Sequence, residues 1–108
     1  MKIPAGAGRE LKMHNMIIDA IHNQTCLEFY YDGGMRTVEP HCYGYGRNGE
    51  LLRAYQICGY SESGNVEGWK LFTIGKISSM SCTNDTFSVR DDFKHGDKAM
   101  INGIYAEV

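Results

Sequence analysis

This sequence of 108 residues has little proline, no long apolar run and no strong excess of charge of one sign. No stretch approaches the roughly 20 apolar residues of a membrane-spanning helix. The formal net charge of −2 excludes a generic polycation that coats DNA or an anionic membrane, so any nucleic-acid site would be a local patch. Residues 1–8 contain no hydrophobic stretch of the kind found in a secretory signal, and we therefore expect a cytoplasmic protein.

The four cysteines lack the spacing of a disulfide framework or a zinc site. Cys26, Cys42, Cys58 and Cys82 stand singly, and no C-x-x-C pair exists. In a cytoplasmic protein we expect them to be reduced, half-buried thiols. A mixed metal site built from His41, Cys42 and another cysteine is the alternative, but we predict neither a metal nor a cofactor.

The residues that are present are typical of one β-rich globular domain. The chain is 43% hydrophobic and 22% charged, close to an average globular domain. Its 13 glycines indicate many tight turns. We predict a domain over residues 10–85, preceded by a flexible lead over 1–9 and followed by a C-terminal tail or wrapping segment over 86–108.

One amphipathic helix is predicted over residues 10–23. Apolar residues recur there at steps of three and four, which is the spacing of a single buried helix face. Asn23 suits the end of this helix because asparagine tolerates the left-handed conformation found there. The predicted buried stripe consists of Met13, Met16, Ile17, Ala20 and Ile21.

Five short antiparallel strands are predicted after the helix. Alternation places Leu27, Phe29 and Tyr31 on one face of the first strand. Asp32-Gly33-Gly34 and Asn48-Gly49 have the composition of tight hairpin turns. The remaining strands are predicted at 36–47, with a bend at Pro40, and at 51–58, 69–74 and 76–83. A helix followed by five meandering strands indicates a small, partly closed antiparallel barrel, because closure removes exposed sheet edges.

No catalytic motif stands out along the chain. Residues 44–49 match G-x-G-x-x-G letter for letter, but they lie at a predicted hairpin and not between a strand and a helix, so the match is accidental. A cysteine–histidine nucleophile involving His41 or His22 is left open, since such pairs meet only in space. We therefore predict a protein that is not an enzyme.

Basic and aromatic residues are interleaved along the strands, and this pattern supports a prediction of function. Arginine side chains bind phosphate oxygens, and aromatic rings stack on bases. The alternative is that the aromatic residues form the core and the cations are surface residues. The candidate ligand-binding residues are Arg36, Arg53, Lys70, Tyr31, Tyr43, Tyr55 and His41. Arg36 is predicted as the main anion contact, with a buried pairing to Glu28 or Glu39 as its alternative role.

Several stretches resemble a WYL domain. They are residues 17–21, 27–31, 36–40 and 52–55, together with Lys70-Leu71-Phe72, Ile74 and Ile77. The resemblance covers residues 16–82, and its most specific part is Arg-x-Val-x-Pro at 36–40. The Trp-Tyr-Leu of the family appears here as Glu50-Leu51-Leu52, and Lys70 stands where the family has an arginine.

The resemblance implies an Sm-like five-stranded barrel with an N-terminal helix. It also implies a ligand-binding regulatory module for a nucleotide or single-stranded nucleic acid, used in transcriptional regulation or phage defence. This chain would act as a separate regulator subunit or ligand trap. The alternative is a protein-interaction module that forms a homo-oligomer through the barrel's edge strands.

Overall fold

The protein is mainly β, with one helix packed on an antiparallel sheet. The computed structural model describes the backbone of residues 5–108 and the side chains of residues 11–108. Its elements are α1 (Ala5–Asn23), β1 (Thr25–Tyr31), β2 (Gly34–Gly46), β3 (Gly49–Gly59), β4 (Gly68–Thr73), a 3-10 turn (Ile74–Lys76), β5 (Ser78–Thr86) and β6 (Ile104–Glu107). No helix in this part of the chain is long and apolar enough to cross a membrane.

The helix is longer than predicted, but its buried face is the predicted one. It begins at Ala5, so most of the expected flexible lead is helical, and residues 1–4 lie outside the described residues. Ile17, Ala20 and Ile21 are fully buried, which confirms the amphipathic pattern. The left-handed conformation predicted for Asn23 occurs at Gln24 (φ +53°), because one more residue is needed to reverse the chain into β1.

The strands form an open sheet, so the predicted barrel is not confirmed. The order is β4-β3-β2-β1-β5, and β4 and β5 do not pair with each other in the described chain. The two end strands are joined in sequence by the 3-10 turn Ile74–Lys76, and the Thr73 backbone N–H at the end of β4 donates to the Tyr31 hydroxyl of β1, at 3.1 Å. The side chains of β5 are mostly exposed serine, threonine, asparagine and aspartate, and Met80 of this strand packs against the core.

A sixth strand, β6, was predicted only as one option for the C-terminal residues. It pairs with Cys42, Tyr43 and Gly44 of β2, whereas β1 pairs with residues 34–38 of the same strand. β6 therefore continues the line of β1 along one edge of the long strand β2. Between β5 and β6, segment 87–103 crosses the sheet, with Phe87 and Met100 buried against it.

The hairpin turns lie close to their predicted places. Tyr31 pairs with Gly34, so the first loop is Asp32-Gly33, and both residues have the positive φ that a type I′ turn requires (+39° and +103°). The second turn lies one residue earlier than predicted. Its loop is Arg47-Asn48, since Gly46 pairs with Gly49.

The bend predicted at Pro40 coincides with an irregularity of the sheet. The pairing of β2 with β3 shifts register between Pro40 and Cys42. Proline has no N–H to contribute to a regular ladder, so a register shift is a suitable place for it. The G-x-G-x-x-G stretch spans the end of β2 and the start of β3, which excludes the strand–helix geometry of a dinucleotide site.

Candidate functional site

The seven candidate residues lie in three separate places. Arg36, Tyr31 and Lys70 lie on the inner face near the glycine turn of the first hairpin. Arg53, Tyr55 and His41 lie on the outer face, under the C-terminal segment. Tyr43 lies at the opposite end of β2, where it contacts the helix. The structure therefore brings together only part of the predicted site.

Arg36 is buried among aromatic rings from two other strands and from the loop after β3. It is only 6% exposed. Its guanidinium carbon lies 5.1, 5.6 and 5.8 Å from the ring centres of Tyr31, Tyr60 and Phe72, respectively. Its Nε–H donates to the carbonyl oxygen of Tyr31, at 3.1 Å. Cation–π contacts and one hydrogen bond therefore hold the guanidinium in a defined orientation.

Arg36 has no carboxylate partner among the described residues. The alternative role predicted for it, pairing with Glu28 or Glu39, is not observed. Glu39 instead accepts a hydrogen bond from Nε of Arg90, at 2.8 Å. An arginine has five N–H donors, and within the described chain only the Nε–H of Arg36 makes a hydrogen bond. Its two terminal nitrogens make no hydrogen bond within the described chain and are not among its fully buried atoms, so they remain open to solvent or a ligand.

Tyr60, which the sequence analysis did not select, covers this site. Its backbone N–H donates to the carbonyl oxygen of Met35, at 2.8 Å, and its side chain packs on the Gly33-Gly34 turn. A Cβ atom at Gly34 would overlap the Tyr60 side chain. The glycine pair therefore does more than form a turn, because it also makes room for an aromatic ring beside Arg36. In the sequence, Gly34 beside the turn was the signal from which this packing could have been predicted.

Gln56 is the second residue that the sequence analysis missed. It is fully buried on the inner face of β3, where it pairs with Val38 of β2. Its Nε2 group donates to the carbonyl oxygens of Tyr60 (2.8 Å) and Cys58 (3.2 Å). Its Oε1 atom is buried and has no hydrogen-bond partner. The alternation of Leu52, Ala54 and Gln56 could have identified it, since a polar residue occupies an apolar position of a strand.

Lys70 lies on the same face of β4 as Phe72, but its ammonium group is engaged. Nζ donates to the carbonyl oxygen of Asn65 (2.7 Å) and to Oγ of Ser61 (3.2 Å). Both acceptors belong to the loop between β3 and β4. Lys70 therefore ties that loop, which begins next to Tyr60, to the sheet.

The outer-face candidates contact the C-terminal segment of the same chain. Nε of Arg53 pairs with Oδ2 of Asp97 at 2.7 Å. The guanidinium of Arg90 lies 3.6 Å from the ring centre of Tyr55. Arg53 was predicted to contact an anion, and its guanidinium is already paired with the Asp97 carboxylate. Tyr55 was predicted to stack on a base, and its ring is already covered by the Arg90 guanidinium.

His41 is fully buried in an aromatic cluster on the same outer face. The ring centres of Trp69, Phe87 and Phe93 lie 4.8, 5.1 and 5.1 Å from its own. Burial lowers its pKa, which favours the neutral ring. His41 therefore belongs to the packing between β2 and the C-terminal segment.

Tyr43 joins the helix to the second hairpin. Its hydroxyl donates to Oε2 of Glu50 (3.0 Å) and accepts from Nδ1 of His14 (2.8 Å). Burial raises its pKa, so the hydroxyl stays protonated. The residue lines a cavity of about 380 Å³ with Glu50 and Ile74. This cavity does not include Arg36.

The alternative metal site is not formed by the described residues. His41 packs among aromatic rings, and its Nδ1 lies 2.9 Å from the carbonyl oxygen of Glu39, not from a thiol. All four cysteines are free; Cys26 and Cys42 are buried, whereas Cys58 and Cys82 are exposed. No three metal-binding side chains group together in the part of the chain that the structure describes.

A comparison of the chain with protein-family models, curated proteins and solved structures found no significant match.

Proposed function

We propose that this protein is a non-enzymatic binding module for an anionic ligand of nucleotide or single-stranded nucleic-acid type, with Arg36 as the main anion contact. The observation that supports this most directly is a buried cation without a carboxylate partner in the described chain. Removing a charge from water costs several kcal/mol per ion, by order of magnitude, unless a counter-charge compensates it. A bound anion would supply that compensation through the unused N–H groups of Arg36.

The aromatic residues around Arg36 suit a ligand that carries a base. Tyr60 is 42% exposed, so part of its ring is open to solvent while the ring also lies beside the guanidinium. Aromatic rings that accept stacked bases next to a cation are the usual means of binding single strands. Tyr31 and Phe72 are buried, and they would orient Arg36 without contacting a base.

The resemblance to WYL domains supports the same residue. Its most specific stretch, residues 36–40, begins at Arg36. The Sm-like barrel that it implies would require β4 and β5 to pair with each other, which they do not do in the described chain. Under this proposal the protein serves as a ligand-sensing subunit in transcriptional regulation or phage defence.

The experiment compares Arg36→Met with a matched control, Arg47→Ala. Arg47 is an exposed arginine in the turn after β2, so the control removes the same charge away from the site. Each protein is titrated with a single-stranded oligonucleotide and with linear and cyclic dinucleotides at two salt concentrations. We expect Arg36→Met to weaken binding by about 1.5–3 kcal/mol, the scale of a hydrogen bond to a charged group. The control should bind like the parent at the higher salt concentration, where remote charges are screened.

Unfolding in urea separates this role from a structural one. If Arg36 has no carboxylate partner, Arg36→Met should lower the free energy of unfolding by about 1 kcal/mol or less through the lost hydrogen bond, whereas removal of an uncompensated charge should raise it. A buried ion pair would instead cost about 3–5 kcal/mol when broken. Parent-like affinity in a stable Arg36→Met variant would remove Arg36 from the site.

The second candidate function is assembly of a homo-oligomer through edge strands. It is favoured by the two outer strands of the sheet, β4 and β5, which do not pair with each other in the described chain. Pairing of β4 in one copy with β5 in another would satisfy both edges. Light scattering should then give a mass above that of the monomer. Leu71→Lys, which places a charge at an exposed position of β4, should lower that mass, whereas Leu11→Lys on the helix should not.

A further inference from the structure

We propose that the cavity beside Tyr43 binds an alkylammonium group, with the carboxylate of Glu50 as its counter-charge. The ligand class is an amine that is protonated at neutral pH and carries an apolar chain. Arg36 does not line this cavity, and the ligand has the opposite charge to the one proposed for Arg36. The inference therefore concerns a second site and does not depend on the proposed function.

The cavity has the size of a small-molecule site. Its volume is about 380 Å³, and ligand pockets have volumes of about 300–1,000 Å³. It lies between the helix, the second hairpin and the 3-10 turn that follows β4. Met13, Ile74 and Ile77 contribute apolar side chains to its lining. The cavity can therefore accommodate an apolar chain as well as a polar group.

Glu50 gives the cavity a negative charge. It is the only charged residue among the described residues that line the cavity. Arg47 and Lys76 are close to the lining in sequence, but neither belongs to it. Nδ1 of His14 lies 3.9 Å from Oε2 of Glu50, and His14 does not line the cavity either. A cleft lined by charge of one sign attracts ions of the other, so a cation is favoured over a neutral or anionic occupant.

The carboxylate of Glu50 is held at one oxygen and open at the other. Oε2 accepts a hydrogen bond from the Tyr43 hydroxyl at 3.0 Å, and this hydroxyl accepts one from Nδ1 of His14 at 2.8 Å. Oε1 receives no hydrogen bond within the described chain and is not among its fully buried atoms. An ammonium N–H can therefore donate to Oε1, as a charge-assisted hydrogen bond, without displacing an existing one.

Two tyrosine rings in the lining also suit a cation. Tyr43 and Tyr45 both line the cavity, and Tyr45 is 42% exposed whereas Tyr43 is almost fully buried. A cation over the face of a tyrosine ring is attracted by the electron-rich face of that ring. One carboxylate, two tyrosine rings and apolar side chains together match an ammonium group at the end of an apolar chain.

Gly75 offers a way to fill the cavity without changing its charge. It lines the cavity, and a Cβ atom at this position would have no other atom within 4 Å. Its φ is not positive, so a side chain can be added without backbone strain. Gly75→Leu should therefore take up part of the ligand's space, whereas Gly75→Ala adds only one methyl group.

The test titrates the full chain with three probes of similar length and different charge, by calorimetry. They are n-butylammonium, n-butanol and butyrate. The titration is made at about pH 8, above the ordinary pKa of histidine, so that imidazolium cations do not compete for the carboxylate. We expect n-butylammonium to bind about tenfold or more tightly than n-butanol, the scale of a hydrogen bond to a charged group. Butyrate should bind more weakly than n-butanol.

Variants assign the binding to this cavity. Glu50→Gln keeps the length of the side chain and an oxygen that can accept from Tyr43, but it removes the charge. It should reduce the affinity for n-butylammonium about tenfold or more, to that for n-butanol. Glu62→Gln, at an exposed position of the loop between β3 and β4, is the matched control and should bind like the parent.

The two glycine variants test the location independently of the charge. Gly75→Leu should weaken the binding of n-butylammonium and of n-butanol, and Gly75→Ala should weaken it less. If Glu50→Gln does not fold, the three probes on the parent and the Gly75 variants still decide the question. A further probe, Nα-acetyl-lysine methylamide, distinguishes the sources of the ammonium group. Binding tighter than that of n-butylammonium identifies a lysine side chain, and weaker or equal binding identifies a free amine, with the inference supported in either case.

The outcomes for this inference and for the proposed function differ. Equal binding of n-butylammonium and n-butanol, absence of binding by n-butylammonium, or binding that is unaffected in Glu50→Gln would overturn the inference. Each of these results would leave the proposed function intact, because that function depends on Arg36. Conversely, Arg36→Met should bind n-butylammonium like the parent, even if no anion binds to the protein.

Discussion

The backbone N–H of Arg90 donates a hydrogen bond to Nε2 of His41, at 3.2 Å. Since Nε2 accepts, the ring proton is on Nδ1, which lies 2.9 Å from the carbonyl oxygen of Glu39. Burial lowers the pKa of His41, and this outweighs the opposite effect of the Glu39 carbonyl. Both ring nitrogens are therefore used to join β2 to the C-terminal segment, and neither is free for a ligand.

This arrangement predicts that stability falls as the pH drops below about 6.5, the ordinary pKa of histidine. In the unfolded chain His41 takes up a proton near that pH, whereas in the folded protein it does so only at its lower pKa. The unfolded state then binds more protons, so the free energy of unfolding decreases as the pH falls from the unfolded toward the folded value. Loss of the Arg90 hydrogen bond alone corresponds to about 1 kcal/mol.

Urea unfolding between about pH 5 and pH 7.5, a range that includes the ordinary histidine pKa, measures this effect. His41→Gln should flatten the pH dependence. His22→Gln, at an exposed position of the helix, should retain the parent's profile. A parent-like slope in His41→Gln would show that another group is responsible.

A second prediction concerns the ion pair between Arg53 and Asp97. Burial of Asp97 favours its protonated form, but hydrogen bonds from Arg53 and from the Ala99 backbone N–H outweigh this and lower its pKa. Its contribution to stability is therefore present above about pH 4, the unfolded value, and is lost as the pH falls through the lower folded pKa. This range begins at a lower pH than the effect of His41, which begins at the ordinary histidine pKa of about 6.5.

Asp97→Asn should lower the free energy of unfolding by about 1–2 kcal/mol at neutral pH, because a charge-assisted hydrogen bond becomes a neutral one. It should also make segment 87–103 more sensitive to limited proteolysis. Asp91→Asn, at an exposed position of the same segment, is the control. Equal cleavage rates for the two variants would show that the ion pair does not hold the segment in place.

A third prediction concerns the second hairpin. Gly49 has φ +136°, a conformation that a β-branched residue strongly disfavours, although a side chain there would meet open space. Gly49→Val should therefore lower the free energy of unfolding by about 1 kcal/mol or more. Gly75→Ala, where the surrounding space is also open and φ is not positive, should be close to neutral. A Gly49→Val variant that melts like the parent would contradict the turn geometry.

A fourth prediction concerns the thiols. Cys58 and Cys82 are exposed, whereas Cys26 and Cys42 are buried, and burial raises the pKa of Cys42 to about 12. A thiol reagent should therefore modify two cysteines in the folded protein and all four after unfolding, since only the thiolate reacts. Addition of a chelator and a reductant together should leave the melting temperature unchanged. A decrease of several degrees would instead support a metal or disulfide.

The local elements could be predicted from the sequence because each depends on neighbouring residues. The spacing of Ile17, Ala20 and Ile21 is visible within one helix, and the alternation of Leu27 and Phe29 within one strand. The first glycine turn was equally visible, since positive φ is a property of individual residues. The helix start and the second turn were displaced, because element boundaries depend on packing as well as on local preference.

Which side chains meet was decided by the tertiary structure. The sequence identified Arg36, but not the partner of Glu39, which is Arg90 at a distance of 51 residues along the chain. Tyr60 reaches Arg36 because β2 and β3 pair in one register. The same pairing turns Arg53 outward to Asp97. A pattern in the chain can specify the face on which a residue lies, but the partner on that face depends on contacts between segments that are remote in sequence.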